Sequence, residues 1–504
     1  MNAFDYFFSD TKEMNKKFIL NEGEDISFEE LYRRSLALAH IISARLGTDN
    51  KIILISQNNL FFITCYLAII KSGNVCVPLN PSIEQSNFNF IENVTECKFS
   101  FVSEKSNIKL TINNEVVNES SLKGLIEQNK ENSKHSEDAK HTGEYFDENR
   151  LAEILFTSGS TGVPKGVMLT HLNLRANTDS ILSYLKLTSN DSMLLVLPLY
   201  YCYGLSVLHT HLKVGASIFL NNNFILLGSV IANLIKYEST GFAGVPSHFQ
   251  MLLRKSQTFK KTTFLHLRYV TQAGGKLHEA FIEEFINAFP TVDFFVMYGQ
   301  TEATARLTYL PPKLVKSKIG SIGKPIPGVT LKIVAKDGKP VETGEIGEIV
   351  VKGDNIMKGY FNDPVGTKDT LKNGWLYTGD LGRTDKEGFV FLTARKKGIL
   401  KVGGERISPK EIEEVIVSIA EVIDCTVIAI DDELLGEAIK AIVVVNDDIN
   451  QNDLRIKILN LCKQKLTSSK MPKIIEFTPN FELNSIGKKV MISSNTTENL
   501  NNIK

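Results

Sequence analysis

Residues 155–171 read LFTSGSTGVPKGVMLTH, and the fold and chemistry of the chain turn on this stretch. An apolar run enters from Leu151. Thr157, Ser158, Ser160 and Thr161 then alternate with Gly159 and Gly162, and Lys165 follows. Backbone N–H groups, hydroxyl donors and an ammonium are what a polyphosphate needs for its oxygens. A Walker A loop would place a second glycine at Pro164 and a hydroxyl at Gly166, so the loop is not of that kind. Taken alone, it reads more readily as a Gly/Ser turn between two strands.

The 504 residues exceed the roughly 250–300 at which single cores divide, so more than one domain is expected. Lys+Arg and Asp+Glu both number 57, leaving no global field to attract nucleic acid or an anionic membrane. MNAFDYFFSDTKEMNKK lacks the basic-then-apolar layout of a signal peptide. The longest apolar run, Leu60 to Ile70, falls short of the ~20 residues of a membrane span and reads as a buried helix. Cys65, Cys76, Cys97, Cys202, Cys425 and Cys462 are scattered singly, without a CxxC pair. The expectation is a cytoplasmic protein with thiols in its core.

Ser27-Phe-Glu-Glu30 opens an amphipathic helix to Leu46 in a capping-box pattern. KIILIS (51–56), NVCVPL (74–79) and KFSFVSE (98–104) read as strands around a helix at Leu60–Lys71. That alternation implies crossover units and a mostly parallel sheet. Asn113 to Arg150 is polar and reads as a surface excursion before a strand at Leu151–Phe156. A helix is expected over His278–Phe289, with Phe281, Ile282, Phe285, Ile286 and Phe289 on one face, then a strand at Val292–Met297. From Gly320 to Gly388, short strands alternate with Gly/Pro turns, as in a small β subdomain. Beyond Arg395, Ser408-Pro-Lys-Glu411 supplies an N-cap and an N1 proline for a helix to Ala420. Strands at Val422–Ile430, Lys440–Val445 and Ile474–Phe477, with a helix at Leu454–Lys465, complete an α+β unit. The tail from Met491 is expected to fray.

Six segments carry a resemblance. TSGSTGVPKG (157–166), AGG (273–275), YGQTEA (298–303), YTGDLG (377–382), ARKKGILKVGGERISPKEIE (394–413) and NSIGKK (484–489) follow one another in the order of the adenylate-forming, or AMP-binding, superfamily. That superfamily comprises acyl-CoA synthetases, peptide-synthetase adenylation domains and luciferases, and the resemblance spans Ser27 to Lys489. It implies an α/β fold with a large N-terminal domain, 1–395, of two parallel-sheet α/β subdomains plus a small β subdomain. A small mobile α+β C-terminal domain, 396–504, would carry the catalytic lysine.

The resemblance further implies a two-step ligase. A carboxylate attacks the α-phosphate of ATP with Mg²⁺, giving acyl-adenylate and pyrophosphate. A thiol, CoA or the phosphopantetheine of an acyl carrier protein, then displaces AMP. Charge developing on the phosphates calls for cations and oriented donors. By resemblance, Thr157, Ser158, Gly159, Ser160, Thr161, Gly162 and Lys165 hold the phosphates. Gly274, Gly275, Lys276, Tyr298, Gly299 and Gln300 surround the nucleotide, with the Tyr298 ring as a stacking face for adenine. Thr301 contacts the α-phosphate, Glu302 is the metal ligand, Asp380 and Arg395 hold the ribose, and Lys488 is the catalytic lysine. Gly487 would let the backbone approach another segment, and Lys489 reads as a solvated neighbour. Lys397 is the implied hinge and Gly403 and Gly404 line the implied thiol tunnel.

The acid pocket is expected at Tyr201, Tyr203, Gly204 and Ala303. Tyr201 replaces a histidine common in acyl-CoA synthetases of the family, and no arginine follows NSIGKK. Amino-acid-activating relatives carry an aspartate where this chain has Gly204. A buried ammonium without a partner is heavily penalised, so a substrate without an α-amine is expected, with the glycine leaving room for its chain. Arg306 is read as a surface residue rather than the partner of a second carboxylate. Amino-acid adenylation for a carrier protein and a non-catalytic nucleotide-binding relative are the alternatives; a luciferase is remote.

Overall fold

The structure, a computed structural model, describes residues 1–21, 25–110, 114–128, 146–157, 163–396, 398–402, 405–432, 436–484, 487 and 489. Two sheets carry the large N-terminal part. The first has seven strands, in the order Gly359–Tyr360, Lys165–Thr170, Leu151–Thr157, Val75–Leu79, Lys51–Ile55, Phe99–Val102 and Glu115–Val117. Val75–Leu79, Lys51–Ile55 and Phe99–Val102 are parallel neighbours buried almost throughout, so their sequences are unbroken apolar runs rather than alternating ones.

The helix Phe28–Leu46 starts as expected, with Ser27 accepting from the Glu30 N–H at 3.2 Å. The reciprocal half of the capping box gives way to pairs of Glu30 with Arg33 and Arg34. The helix Leu60–Lys71 is capped by Asn59 and buried from Phe61 to Ile70. No helix among the described residues is long and apolar enough to cross a membrane. All six cysteines are buried, and none is in a disulfide among the described residues.

The second sheet joins 14 strands. Lys17–Ile19, Ser217–Leu220, Ser192–Leu195, Gly241–Gly244, Tyr269–Gln272 and Asp293–Tyr298 form its parallel part. Thr308–Leu310 and Ser321–Pro325 add antiparallel and lead into the ladder of Val390–Arg395, Trp375–Thr384, Gly347–Gly353 and Val329–Val334. The small β subdomain is thus hydrogen-bonded onto the edge of the large sheet. One set of buried residues from each sheet, among them Ile52 and Leu54 of the first and Met193, Leu195 and Tyr269 of the second, shares a single core.

The stretch from 113 to 150 is not wholly a surface excursion. Glu115–Val117 extends the first sheet and Glu119–Gln128 is helical, with Val117 and Leu122 buried. These two, with Leu125 and Ile126 partly buried against the same core, dock a segment that is otherwise largely polar. The helix Glu279–Ala288 buries Phe281, Ile282 and Phe285, with His278 at its N-cap.

In the C-terminal unit, Val422–Asp432 and Gly436–Val445 form a hairpin, with Ile474–Thr478 parallel to the second strand. The helices Pro409–Val417 and Gln451–Lys465 belong to the same unit. Ser408 stands at the expected N-cap, but its hydroxyl donates to Thr393 O at 2.7 Å, and the helix stops three residues before Ala420. The unit rests on the helix Pro246–Arg254. Gln250 Nε2 donates to Asp424 Oδ1 at 2.9 Å, and Arg254 Nη1 reaches the carbonyls of Val417, Ile419 and Val422.

Candidate active site

Four neighbouring parallel strands, ending at Leu195, Gly244, Gln272 and Tyr298, release their chains at one edge of the large sheet. Ligands of open α/β sheets bind outside such carboxyl ends. The segments that emerge there contain Tyr201, Val245–His248, Gly274–Lys276 and Gly299–Ala305.

The last of these is a tight turn. A Cβ on Gly299 would stand 2.0 Å from Ala305 O, so only glycine fits. Thr301–Ala303 is one turn of 3₁₀ helix, and Thr304 follows at φ 63°, a strained value for a β-branched residue. Its hydroxyl donates to Asn355 O at 2.7 Å, one of the contacts that hold the strain. Such over-determined backbone clusters at functional sites.

Glu302 leaves this turn half-buried. Its backbone carbonyl accepts from Met357 N, and Oε1 accepts from the Tyr360 hydroxyl at 2.9 Å. Tyr360 arrives on a two-residue strand paired to Lys165–Thr170. Burial and the neighbouring Glu302 carboxylate push its phenol up from its ordinary pKa. Leu151–Thr157 and Lys165–Thr170, the strands on either side of the glycine-rich segment in sequence, pair antiparallel with Thr157 opposite Lys165. Lys165 Nζ lies 3.1 Å from Asp363 Oδ2 and 4.8 Å from the centre of the Tyr360 ring. The Gly366 N–H, and after it Lys165, lower the Asp363 carboxyl. Thr157, Lys165, Glu302, Tyr360 and Asp363 therefore form one connected group.

A second group surrounds Asp380. Oδ2 accepts from the Tyr298 hydroxyl at 2.7 Å and Oδ1 from Arg395 Nε at 2.8 Å. Asp380 and Arg395 are cross-strand partners, so the sheet register itself sets this pair. Tyr298 thus has a polar task besides offering a ring face. Asp380 raises the Arg395 guanidinium, which titrates far above any working pH in any case.

Gly274 adopts φ 87° beyond the strand Tyr269–Gln272, and Gln272 Nε2 donates to Gly275 O at 2.8 Å. Gln300 lies between Gly299 and the 3₁₀ turn. Lys276 turns toward the C-terminal unit, 3.5 Å from Glu414 Oε2. The same carboxylate lies 3.0 Å from His278 Nδ1.

Two expectations near the acid pocket, open space at Gly204 and a surface position for Arg306, need correction. Gly204 leaves no room for a chain: a Cβ there would stand 2.1 Å from Pro198 O, so the glycine serves the close packing of its helix, Cys202–Val214. Tyr203 is buried and its hydroxyl bonds Thr271 O at 2.9 Å. Burial pushes the Tyr201 phenol up. Cys202 Sγ lies 3.6 Å from Thr301 Oγ1, and Ala303 is fully buried. Arg306 is not on the surface; it is 3% exposed, with its guanidinium 4.0 Å over the Tyr203 ring.

Near the C-terminus, a Cβ on Gly487 would stand 2.9 Å from Val245 Cγ2, and Gly487 O accepts from Ser247 Oγ at 2.6 Å. The expected close approach at this glycine is therefore made, onto the segment that also touches Gly275 through Pro246. Lys489 is not a solvated lysine. Its Nζ donates to Asp424 Oδ1 and Cys425 O, both at 2.7 Å, because the buried strand end at Val422–Asp432 offers oxygens that need a cation. Ser158, Gly159, Ser160, Thr161, Gly162, Lys397, Gly403, Gly404 and Lys488 lie outside the described residues.

Sequence reasoning missed Tyr360, Asp363, Asn355 and Glu414. The first two sit in GYFNDP (359–364), which signals only a turn; Asn355 and Glu414 carry no motif at all.

A family profile described as AMP-binding enzyme matches residues 8–361, and one described as AMP-binding enzyme C-terminal domain matches 411–488. The long-chain-fatty-acid–CoA ligase of Yersinia pestis is 28% identical, covering 93% of this chain and 89% of its own. The oxalate–CoA ligase of Arabidopsis thaliana is 29% identical, covering 86% and 85%. The solved o-succinylbenzoate CoA synthetase of Bacillus subtilis, in complex with its acyl-adenylate intermediate, superposes with a TM-score of 0.81. It shares 26% identity and covers 99% of this chain and 98% of its own.

Proposed function

The chain belongs to the AMP-binding enzyme family, and from that premise we propose that it activates a small carboxylic acid without an α-amine and passes the acyl group to CoA. The acid and ATP give acyl-adenylate and pyrophosphate; the CoA thiol then displaces AMP. The observation that carries this reading is the convergence of two connected groups, Thr157–Lys165–Asp363–Tyr360–Glu302 and Tyr298–Asp380–Arg395, around one strained turn.

In this reading Lys165 and the loop from Thr157 to Gly162 hold the β- and γ-phosphates, with Asp363 holding the ammonium in place until they arrive. Thr301 donates to the α-phosphate. Asp380, oriented by Tyr298 and Arg395, accepts from the ribose hydroxyls, and Gly274–Lys276 and Gly299–Gln300 border the base. Glu302 fits Mg²⁺: it is a hard oxygen donor, fixed by Tyr360, and no lysine or arginine pairs with it among the described residues. The metal would supply charge neutralisation at the phosphates. Lys488, beside the seated Gly487, is the lysine we assign to the first half-reaction. The domains divide at 395/396, Lys397 is the hinge, and Gly403 and Gly404 line the thiol path of the second half. A carrier-protein phosphopantetheine is the alternative acceptor.

The packing at Gly204 speaks against amino-acid activation, because an aspartate side chain there would run into the Pro198 carbonyl. Incubation with ATP, magnesium, CoA and a panel of amino, fatty, hydroxy, aryl and dicarboxylic acids tests the reading. Pyrophosphate, AMP and an acyl-CoA mass are expected from a non-amino acid. Activation of an amino acid alone would overturn it.

A further inference from the structure

Arg306 is a buried cation without an anion. It is 3% exposed, and no carboxylate pairs with it among the described residues. Nε donates to Met297 Sδ at 3.3 Å, a weak acceptor, and Nη1 to Ala305 O at 3.3 Å, long for an N–H···O bond. The guanidinium covers the Tyr203 ring, and the Tyr184 hydroxyl stands close, bonded in turn to Met297 Sδ at 3.2 Å. A ring face and a thioether offset only part of the cost of taking a guanidinium out of water. Yet the residue is held firmly in place: its backbone carbonyl accepts from Asn355 Nδ2 at 2.8 Å and Asn177 Nδ2 at 3.4 Å. Its Cα also packs directly beneath Gly299.

Its depth gives it direction. Thr301 lies in the turn beyond the strand ends. The guanidinium lies one layer below, against Met297 inside the strand Asp293–Tyr298 and against Tyr203, whose hydroxyl is tied to Thr271 in the neighbouring strand. The carboxylate that attacks the α-phosphate belongs at the level of the turn. A positive charge at that depth, against Tyr184, Tyr203 and Met297, would meet the other end of an acid whose carboxylate sits at the turn. An alkyl terminus there would leave the desolvated cation uncompensated, whereas a planar carboxylate matches the guanidinium fork.

We propose that Arg306 closes the far end of the acid pocket and pairs with a second carboxylate, so that the acid activated is a dicarboxylic acid. This rests on the acid-activation reading above. The sequence alone favoured a surface role for Arg306; its burial without a carboxylate partner reverses that preference.

The test compares matched acids with wild-type enzyme, ATP, magnesium and hydroxylamine, reading hydroxamate and pyrophosphate. Each aliphatic or aryl dicarboxylic acid is set against its monomethyl ester and the monocarboxylic acid of equal length. For the best dicarboxylic acid, kcat/KM should exceed that of its half-ester by about 30- to 1000-fold, the usual consequence of unpairing a buried charge. Arg306→Met should reverse the preference, and Arg306→Lys should retain part of it. If the wild-type enzyme takes half-esters or monocarboxylic acids as readily as the dicarboxylic acids, the proposal is overturned, whether or not the variants fold. If no acid releases pyrophosphate, acid activation itself fails and takes this proposal with it.

Discussion

Replacing Gly299 by alanine is the most direct trial of the turn that carries Thr301, Glu302 and Arg306. The new Cβ would lie 2.0 Å from Ala305 O, 2.7 Å from Ala305 C and 2.8 Å from Arg306 Cα, where real Cβ contacts stay beyond 3.0 Å. All three are backbone atoms, so no side chain can swing aside and the turn must open by about 1 Å to relieve the clash. Overpacking of this kind costs about 1–3 kcal/mol of stability, only a few degrees of Tm in a chain of this size. The catalytic loss should be far larger for its structural cost, because a misplacement of about 1 Å lowers rates by about 100-fold. Pyrophosphate release measured against the Tm of the same preparation separates the two effects. Gly228→Ala, on a helix position with open space around it, is the control and should keep full activity. A Gly299→Ala enzyme within about threefold of wild type, melting at the wild-type temperature, would refute the reasoning, because the turn would then not be under the constraint that positions its residues.

Lys488→Ala should abolish acyl-adenylate formation from ATP while sparing thioester formation from pre-made acyl-adenylate; adenylation near the wild-type rate would remove Lys488 from its role. Glu302→Gln keeps the bond from Tyr360 but loses the charge, so the magnesium needed for half-maximal pyrophosphate release should rise about tenfold or more; an unchanged titration would remove Glu302 from the metal site. Glu153, fully buried beside Tyr66, has its carboxyl pushed up by burial to about 7 from the ordinary 4.5. Between those values the unfolded chain has lost a proton that the folded chain keeps, so this group's share of stability is present below 4.5 and lost as pH rises to about 7. Glu153→Gln should therefore gain Tm relative to wild type from about pH 5 to about pH 8, with a limiting difference of about 3 kcal/mol; a pH-independent difference would count against it.

What the sequence made legible follows from how far each signal reaches. The inner strands Lys51–Ile55 and Val75–Leu79 and the helix Leu60–Lys71 are apolar because their surroundings are apolar on every side, and local composition reports that directly. The turn at 298–303 and the Asp380 segment were legible because each packs its polar side chains into a few consecutive residues. Contacts that close over long separations were not. Tyr360 reaches Glu302 across 58 positions and Lys489 reaches Asp424 across 65, and neither pairing leaves a trace in local pattern. Gly204 shows the opposite failure: a glycine invites a reading of open space, but what it permits is the approach of Pro198 O.

Arg306 unites both limits. An arginine eight residues past Tyr298 reads as solvated because arginine usually is, and nothing in TARLTYL announces burial. What buries it is the fold. Thr304 turns the chain at positive φ, Gly299 admits the returning backbone, and the Cys202–Val214 helix brings Tyr203 over the guanidinium. Each of those features has its own local cause, and none refers to Arg306. The cation's isolation is therefore a product of packing that only three dimensions display, and chains that share the six motifs are free to differ at the bottom of this pocket. The motifs fix the half of the reaction common to the family, ATP and its phosphates; the acid is chosen one layer deeper, by residues whose spacing carries no signature.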